Sequence, residues 1–399
     1  MAFIQILLTF LSSWKFVLLF YIILGIIVYI HRKKFALESG FILLYRTDFG
    51  IRFINKIADK YGEFLKVVGY SAIGIGFAGM ITICVLLLKG LYEMIFVPAA
   101  PPTLSLVIPG VQIPGSPIFI PFWYGIIALF IVVVFHEFGH GIIARSHGLK
   151  IKHTGFGFMG PLPLAFVEPD ETEVVKKPSV VQHSIFAAGP FFNVILTVLV
   201  LVILSLMIIP LSSMMSHNSG VEFQTIQKGY AAEEYGLKKD LAYTSLNGIR
   251  TNNTDDFVLE LNKFKPNDTI ILTDIKDNHV SVVLGFNPKN VSQPYLGVIG
   301  IQDYYLPNNL AWWYAGTYYL LYFLKNLLIW IEILSLGIGL ANLLPIGPVD
   351  GGRMVGKALI DTNGKKKGMK IWAAITVITI GVMLVLILVP IIKNVFFKV

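Results

Sequence analysis

Two histidines and a glutamate lie within five consecutive residues of one apolar segment. His136 and His140 are four positions apart, so on a helix both imidazoles lie on one face and can reach a single ion. Zinc commonly takes two imidazole nitrogens at this spacing. Glu137, between them, can reach a water in a further position of the metal and take its proton. The three residues predict one zinc ion, with Glu137 as general base.

The surroundings of this motif strengthen the prediction. It lies in the apolar run 121–145, which is long enough to cross a bilayer. Ionisable residues at such depth are costly, at about a few kcal/mol or more for a charge, and they are usually functional. The alternative is a hydrogen-bonded polar patch between helices, which would be an expensive use of two histidines and a glutamate.

A catalytic zinc site needs a third protein ligand and one open position. The best candidate is Asp350, in the segment NLLPIGPVDGGR. Pro345 and Pro348 break the helix there, and Gly351 and Gly352 permit unusual backbone angles. Non-helical backbone at membrane depth must be buried in protein or line a wet cavity. The spacing leaves two interpretations of the aspartate open, namely a metal ligand and a solvated residue at a helix end.

Three stretches together resemble the site-2 proteases, which are intramembrane zinc metalloproteases. They are HEFGHGIIARSHGLKI, AGPFFN and NLLPIGPVDGG, and the resemblance covers about residues 120–360. The family pattern in the third stretch is an Asn-x-x-Pro run that ends in Leu-Asp-Gly. This chain departs from it at Gly347, where proline is common, and at Val349, where leucine is usual.

The resemblance implies that His136, His140 and Asp350 hold the zinc. It also implies hydrolysis of peptide bonds within or near the transmembrane helices of membrane protein substrates. Asn193 is a candidate for binding the substrate carbonyl or the metal-site loop, and Asn342 for holding the substrate backbone. A hydrogen bond between helices is the alternative for each asparagine.

The composition is that of a polytopic membrane protein. Hydrophobic residues make up 55% of the 399 residues and charged residues only 14%, whereas soluble domains carry about 25% charged residues. Spans are expected at residues 14–31, 70–96, 121–145, 183–209, 326–344 and 371–394. Residues 1–13 and 310–324 are also apolar and either extend a neighbouring helix or lie at the interface.

The distribution of basic residues predicts the orientation. Lysine and arginine number eight in residues 31–69, none in 97–120, five in 145–182 and six in 353–370. This alternation fits about six spans with both termini outside and the basic loops in the cytoplasm of a cell membrane. Arg145 follows His140 by five residues, so the active site is expected toward the cytoplasmic side.

Residues 211–305 are expected to form an extracytoplasmic, mostly β domain. Short β-type runs occur at residues 221–226, 269–273 and 280–286. The stretch Ala231–Asp240, followed by Ser245–Gly248, resembles PDZ domains of bacterial type, and Asn-Gly favours a hairpin turn. The resemblance implies capture of chain ends or exposed strands by β-augmentation, and hence a gate or size filter for substrates. A spacer domain is the alternative.

A short β element is expected after the motif helix. Residues 155–163 alternate glycine and phenylalanine and precede Leu164–Val167, which suits a hairpin. Similar proteins have a membrane-dipping β element at this place, whose free edge would pair with an unwound substrate. A cytoplasmic loop with apolar anchors is the alternative.

The predicted fold is therefore a polytopic α-helical membrane protein with a membrane-dipping β element and an inserted PDZ-like domain. The expected organisation begins with N-terminal membrane helices in 1–120, which include a basic cytoplasmic loop and a proline-rich outer loop. The first part of the catalytic core follows in 121–210, the PDZ-like domain in 211–305, the second part of the core in 306–360 and a C-terminal membrane helix in 361–399.

Other classes of function are less favoured by the sequence. A single cysteine, Cys84, excludes an intramolecular disulfide and a cysteine metal cluster. The net charge of +8 is not arranged in a basic stripe with aromatics, so nucleic acid is not an expected partner.

The expected partners are membrane protein substrates and the lipid bilayer, and the oligomeric state is not predicted. The alternatives are a catalytically silent scaffold that recruits partners through the PDZ-like domain, and a metal transporter, which would need ionisable residues along several spans.

Overall fold

The computed structural model describes residues 14–38, 42–97, 102–104, 107–111, 113, 116, 118–160, 162–227, 229–239, 241–287, 290–308 and 311–393. They form two compact units. The helical unit comprises the described residues up to 204 and from 325 onward, and the strand unit comprises those between 205 and 324. Residues 1–13, which the sequence assigns either to a helix extension or to the membrane interface, lie outside the described part of the chain. Parts of the proline-rich loop near residue 100 also lie outside it.

The helices are α1 (Trp14–Ile30), α2 (Ile51–Phe96), α3 (Phe122–Ser146), α4 (Glu171–Val174), α5 (Ser179–Ile203), α6 (Ile209–Met215), α7 (Ala231–Glu234), α8 (Thr254–Leu261), α9 (Trp312–Asn342), α10 (Asp350–Asn363) and α11 (Lys365–Ile392). The strands are β1 (Phe35–Glu38), β2 (Ile42–Thr47), β3 (Ile151–Met159), β4 (Leu162–Pro169), β5 (Ser216–Ile226), β6 (Tyr243–Leu246), β7 (Ile249–Arg250), β8 (Thr269–Asp274), β9 (His279–Val283), β10 (Gly285–Asn287), β11 (Asn290–Tyr295) and β12 (Val298–Pro307).

In the described part of the chain, five helical segments are long and apolar enough to cross a membrane, and a shorter apolar helix covers Phe16–Ile30. The five are α2, α3, α9, α11 and the continuous segment Ser179–Met215, which contains α5 and α6. They coincide with the expected spans but extend beyond several of them. The sequence left open whether residues 310–324 extend a helix or lie at the membrane interface. Of these, residues 312–324 form the first turns of α9.

The expectation that residues 31–69 form a basic loop was wrong. This stretch contains the β1–β2 hairpin and the first five turns of α2, which begins at Ile51. Arg52, Lys56 and Lys60 are exposed on that helix, whereas Ile54 and Leu65 are buried. An amphipathic helix with one apolar face in the protein produces this mixture of charged and apolar residues.

Small residues let α2, α3 and α5 pack closely in the helical unit. Ala72, Ile143 and Ala187 are fully buried in their common core. A Cβ atom on Gly69 of α2 would lie 2.9 Å from Cγ2 of Ile143 on α3. Close backbone approach of this kind is typical of helices that associate within a bilayer. It fixes the position of α3, which carries the histidine motif.

The predicted hairpin after the motif helix is confirmed, and it belongs to a larger sheet than expected. Strands β3 and β4 pair antiparallel, and β2 pairs with the other side of β3, in the order β1-β2-β3-β4. Gly155 and Gly157 of β3 allow this pairing, because a Cβ atom there would overlap the carbonyl oxygens of Tyr45 and Leu43 on β2. The edge strand β4 runs beside α3.

The predicted helix break before Asp350 is present, but its two glycines act differently from the expectation. Helix α9 ends at Asn342 and α10 begins at Asp350. Gly351 and Gly352 lie in the first turn of α10 and do not have positive φ angles. A Cβ atom on Gly352 would overlap the carbonyl oxygen of Ile346. The glycines therefore permit the loop to pack its backbone against α10, rather than permitting an unusual conformation.

The strand unit is mostly β, as expected for the 211–305 region. Its main sheet has the order β12-β5-β6-β8-β9, with β7 paired to β6. The predicted Asn-Gly turn joins β6 and β7, and Asn247 and Gly248 both have positive φ angles of 49° and 78°. The interpretation of this unit as a PDZ-like domain stays a prediction.

Candidate metal centre

Three ligand-type side chains from α3 and α10 meet in the helical unit. Nε2 of His136 lies 3.1 Å from Oδ2 of Asp350, and Nε2 of His140 lies 3.3 Å from the same oxygen. The two Nε2 atoms are 3.2 Å apart. All three side chains are largely buried. The structure thus brings together the three residues that the sequence proposed as metal ligands.

The arrangement of His140 shows which ring nitrogen faces the centre. Its Nδ1 lies 2.7 Å from the carbonyl oxygen of Ile185 on α5. A carbonyl can only accept a hydrogen bond, so Nδ1 carries the hydrogen. In the neutral ring Nε2 then has the free lone pair, and this is the atom that points toward Asp350. Metal-binding histidines usually donate their second ring N–H in this way.

Gly189 of α5 leaves open the space beside both histidines. A Cβ atom at this position would overlap Nε2 of His140 and lie only 2.5 Å from Nε2 of His136. The lack of a side chain therefore creates the room in which an ion and its further ligand can sit. Gly189 lies within the AGPFFN stretch, but the sequence alone predicted no function for it. Its signal was a glycine inside an apolar helical span, next to Pro190.

The carboxylate of Glu137 is oriented by the edge of the sheet. The backbone N–H of Val167 on β4 donates a hydrogen bond of 3.1 Å to Oε2 of Glu137. Gly141, one helical turn further along α3, permits this approach, because a Cβ atom there would lie 2.9 Å from Cγ1 of Val167. The strand that the sequence proposed as a substrate-binding edge is therefore in direct contact with the proposed general base.

Ion pairs at the end of β4 hold this strand in place. Nη2 of Arg46 on β2 lies 2.9 Å from Oε1 of Glu168, and Nζ of Lys152 lies 3.0 Å from Oδ1 of Asp170. Hydrogen bonds from the side chains of Thr172 and Lys152 lower the pKa of Asp170 to about 2. This carboxylate is consequently ionised at neutral pH, where it also caps the short helix α4.

The structure separates the two asparagine candidates. Asn193 is fully buried on α5, and Nδ2 of its amide lies 3.3 Å from Nδ1 of His136. Of the three roles considered for Asn193, this contact favours the hydrogen bond between helices. Asn342 is the last residue of α9 and is half-buried, eight residues before Asp350. Its role in binding substrate stays a prediction.

The donor set fits zinc. Two imidazoles, one carboxylate and space for one further ligand are the pattern of catalytic zinc sites. Ligand atoms on a tetrahedral zinc with bonds of about 2.0–2.1 Å are roughly 3.3–3.4 Å apart. The three ligand-atom separations here are 3.1, 3.2 and 3.3 Å. His136, His140 and Asp350 can therefore hold one ion without rearrangement of the backbone.

Arg353 links the helix that carries Asp350 to two neighbouring elements. Its guanidinium lies 2.9 Å from Oε1 of Glu171 on α4 and 4.1 Å from the ring centroid of Phe186 on α5. Phe186 is adjacent to Ile185, the acceptor for His140. The arginine thus connects the elements that position two of the three ligands.

We expect Arg353→Ala to destabilise the helical unit by about 1–2 kcal/mol, because it removes an exposed ion pair and a cation–π contact. Glu171→Gln removes only the ion pair and should cost less than about 1 kcal/mol. Denaturant unfolding of the detergent-solubilised variants measures both changes. Equal effects of the two substitutions would contradict a contribution from the Phe186 contact.

The apolar helices indicate a polytopic membrane protein, in which a buried His-His-Asp group can hold a metal ion and Glu137 follows His136 in sequence. Residues 124–388 match peptidase family M50, and the chain belongs to that family. At family level it is a site-2-type membrane metallopeptidase, and peptidases of this family use zinc. The chain is also 30% identical over 345 residues to a protein of Methanocaldococcus jannaschii described as uncharacterized, covering 84% of this chain and 83% of that protein.

Proposed function

We propose that this protein is an intramembrane zinc endopeptidase that cleaves membrane protein substrates within or near a transmembrane helix. The observation that supports it most is the meeting of Asp350 with His136 and His140, which lie beside Glu137 on a helix long enough to cross a bilayer. A silent scaffold does not require such a centre, and ionisable residues buried in spanning helices are costly.

Each residue of the centre has a definite chemical task in this proposal. His136, His140 and Asp350 hold the zinc ion. When bound, zinc acts as a Lewis acid that polarises the scissile carbonyl and lowers the pKa of the attacking water. Glu137 takes the proton of that water and then gives it to the leaving amine. The hydrogen bond from the N–H of Val167 fixes the orientation of the Glu137 carboxylate.

The free edge of β4 is the proposed binding site for the substrate backbone. A helical substrate hides its scissile bond in its own hydrogen-bond ladder, so the protease must hold that segment extended. In antiparallel pairing, backbone groups alternate between the partner strand and the opposite side. Because the N–H of Val167 points to α3, the N–H of Ala165 also points away from β3. A substrate strand can add there by β-augmentation, directly beside Glu137.

We expect Ala165→Pro to lower the rate of cleavage about 5- to 13-fold, because it removes one edge donor worth roughly 1–1.5 kcal/mol. Proline is tolerated on an edge strand when its nitrogen faces away from the ladder, so zinc content should not change. The control is Ala165→Val, which keeps the N–H. Cleavage of a purified single-span substrate measures the effect. Equal rates for both variants would argue against this edge as the binding site.

The orientation in the membrane is part of the proposal. The basic stretches favour a cytoplasmic location for the ends of the spans near residues 145 and 353. The centre would then lie nearer the cytoplasmic side, with the 211–305 region extracytoplasmic. A PDZ-like domain in that position would act as a gate or size filter for substrates already trimmed outside.

Purified protein incubated with a panel of single-span membrane proteins tests the function. The reaction is run with and without a zinc chelator, and mass spectrometry locates any cut. The proposal predicts chelator-sensitive cuts within or beside the transmembrane segment of at least one substrate. Cuts that the chelator does not affect, or an inert protein that contains no zinc, would contradict it.

A further inference from the structure

A buried amide touches the ring of His136 on the side away from the other ligands. Nδ2 of Asn193 lies 3.3 Å from Nδ1 of His136, and Asn193 has no exposed surface. Its Oδ1 is buried and has no hydrogen-bond partner among the described residues. A buried polar atom without a partner costs about 1–3 kcal/mol, so this amide needs an explanation.

The orientation of the amide conflicts with metal binding by His136. If Nδ2 donated to Nδ1, the neutral imidazole would carry its hydrogen on Nε2. That atom faces both Asp350 and Nε2 of His140, and a protonated Nε2 cannot bind a metal. The oxygen and nitrogen of an amide have the same shape, so their assignment depends on the hydrogen bonds. Exchanging them makes Oδ1 the acceptor for an N–H on Nδ1 and leaves the lone pair of Nε2 free to face the ion.

We propose that Asn193 is a positioning residue of the metal centre and not a substrate-binding residue. Its Oδ1 accepts the Nδ1–H of His136 and holds the imidazole in the tautomer whose Nε2 lone pair faces the ion. Ile185 does the same for His140 through its carbonyl oxygen. Helix α5 thus fixes the tautomers of both histidines of α3. This inference rests on the metal centre of the proposed function, but not on peptide cleavage.

Contacts with α5 and α9 hold Asn193 in place. The hydroxyls of Ser335 and Thr197 donate hydrogen bonds of 2.8 Å and 3.0 Å to its backbone carbonyl oxygen. Gly339 lies against its side chain, since a Cβ atom there would be 3.1 Å from Cβ of Asn193. The amide is therefore confined beside His136, as a positioning group must be.

The test compares the zinc affinity of full-length variants in detergent by competition with a chelator. Asn193→Ala should bind zinc about 10- to 100-fold more weakly, the usual effect of losing the partner of a metal-binding histidine. Asn193→Asp should stay within about threefold of the wild type, because a carboxylate also accepts the Nδ1–H. The control Thr379→Val removes a hydroxyl on α11 that donates to the carbonyl oxygen of Ile375, and it should leave the affinity unchanged. The cobalt-substituted Asn193→Asp protein should keep the wild-type visible spectrum.

Two results would overturn the inference. One is wild-type zinc affinity for Asn193→Ala. The other is a folded Asn193→Asp protein that binds zinc as weakly as Asn193→Ala. That result would mean that the amide nitrogen of Asn193 donates the hydrogen bond, which an aspartate carboxylate cannot do.

A second measurement needs no variant of Asn193. Ring-nitrogen NMR of the metal-free protein, labelled with ¹⁵N-histidine and assigned with His136→Gln, should find the hydrogen of His136 on Nδ1. A hydrogen on Nε2 would overturn the proposal. If the wild type bound no zinc, the proposed function would fail, and this NMR result would still decide the role of Asn193.

Discussion

Glu137→Gln should lower the rate of substrate cleavage by about 10²- to 10⁴-fold, the usual contribution of a general base. Glutamine has nearly the same shape and can still accept the N–H of Val167 through its amide oxygen. It cannot take a proton from the attacking water. Glu137 is not one of the three side chains whose ligand atoms meet, so the variant should keep its zinc and its stability.

The matched control is Glu332→Gln, the same chemical change on the membrane helix α9. It should leave both zinc content and cleavage close to those of the wild type. Single-turnover cleavage and metal analysis on the same preparations measure the outcome. If Glu137→Gln retained wild-type turnover, Glu137 would not be the general base. In a catalytically silent scaffold, Glu137→Gln would likewise have no effect on function.

Gly189→Ala should weaken zinc binding by at least about 100-fold, near the upper end of what overpacking a buried site costs. The added methyl group would occupy the space next to Nε2 of both histidines. The backbone of α5 cannot withdraw easily, because Ile185 and Asn193 of the same helix contact the two rings. The variant should therefore be folded but nearly inactive at zinc concentrations that saturate the wild type.

Gly337→Ala is the control for this substitution. Gly337 is also in a membrane helix, and a Cβ atom there would have nothing within 4 Å. Its zinc affinity should equal that of the wild type, measured by competition with a chelator. Normal zinc binding by Gly189→Ala would show that the ion sits elsewhere, or that α5 moves on binding.

The histidine pair was predictable because helical periodicity alone places positions 136 and 140 on one face. Asp350 was different, since 210 residues of chain separate it from His140. Its spacing left a metal ligand and a solvated helix end equally open, and only the family resemblance favoured the ligand. The contact became visible once the packing of α10 near α3 was known.

Glycines that allow close packing of neighbouring groups were either not recognised in the sequence or were assigned the wrong structural role. Gly189 leaves space for an ion, but its local sequence does not indicate that it packs against the histidines of α3. Gly351 and Gly352 were expected to permit unusual angles, whereas they accommodate a neighbouring backbone. The β1–β2 hairpin was missed because its short strands lie between basic residues that were counted as a loop. Non-local packing decides such features, and a single sequence does not encode them in a local pattern.

The proposed function requires one zinc ion, held by His136, His140 and Asp350, for peptide hydrolysis. It is tested by titration of zinc into chelator-stripped protein, with bound metal and substrate cleavage followed in the same samples. We expect cleavage to recover in proportion to bound zinc, to reach its maximum at one ion per chain, and never to recover in Asp350→Ala. Cleavage by the stripped protein, or full recovery in Asp350→Ala, would contradict it.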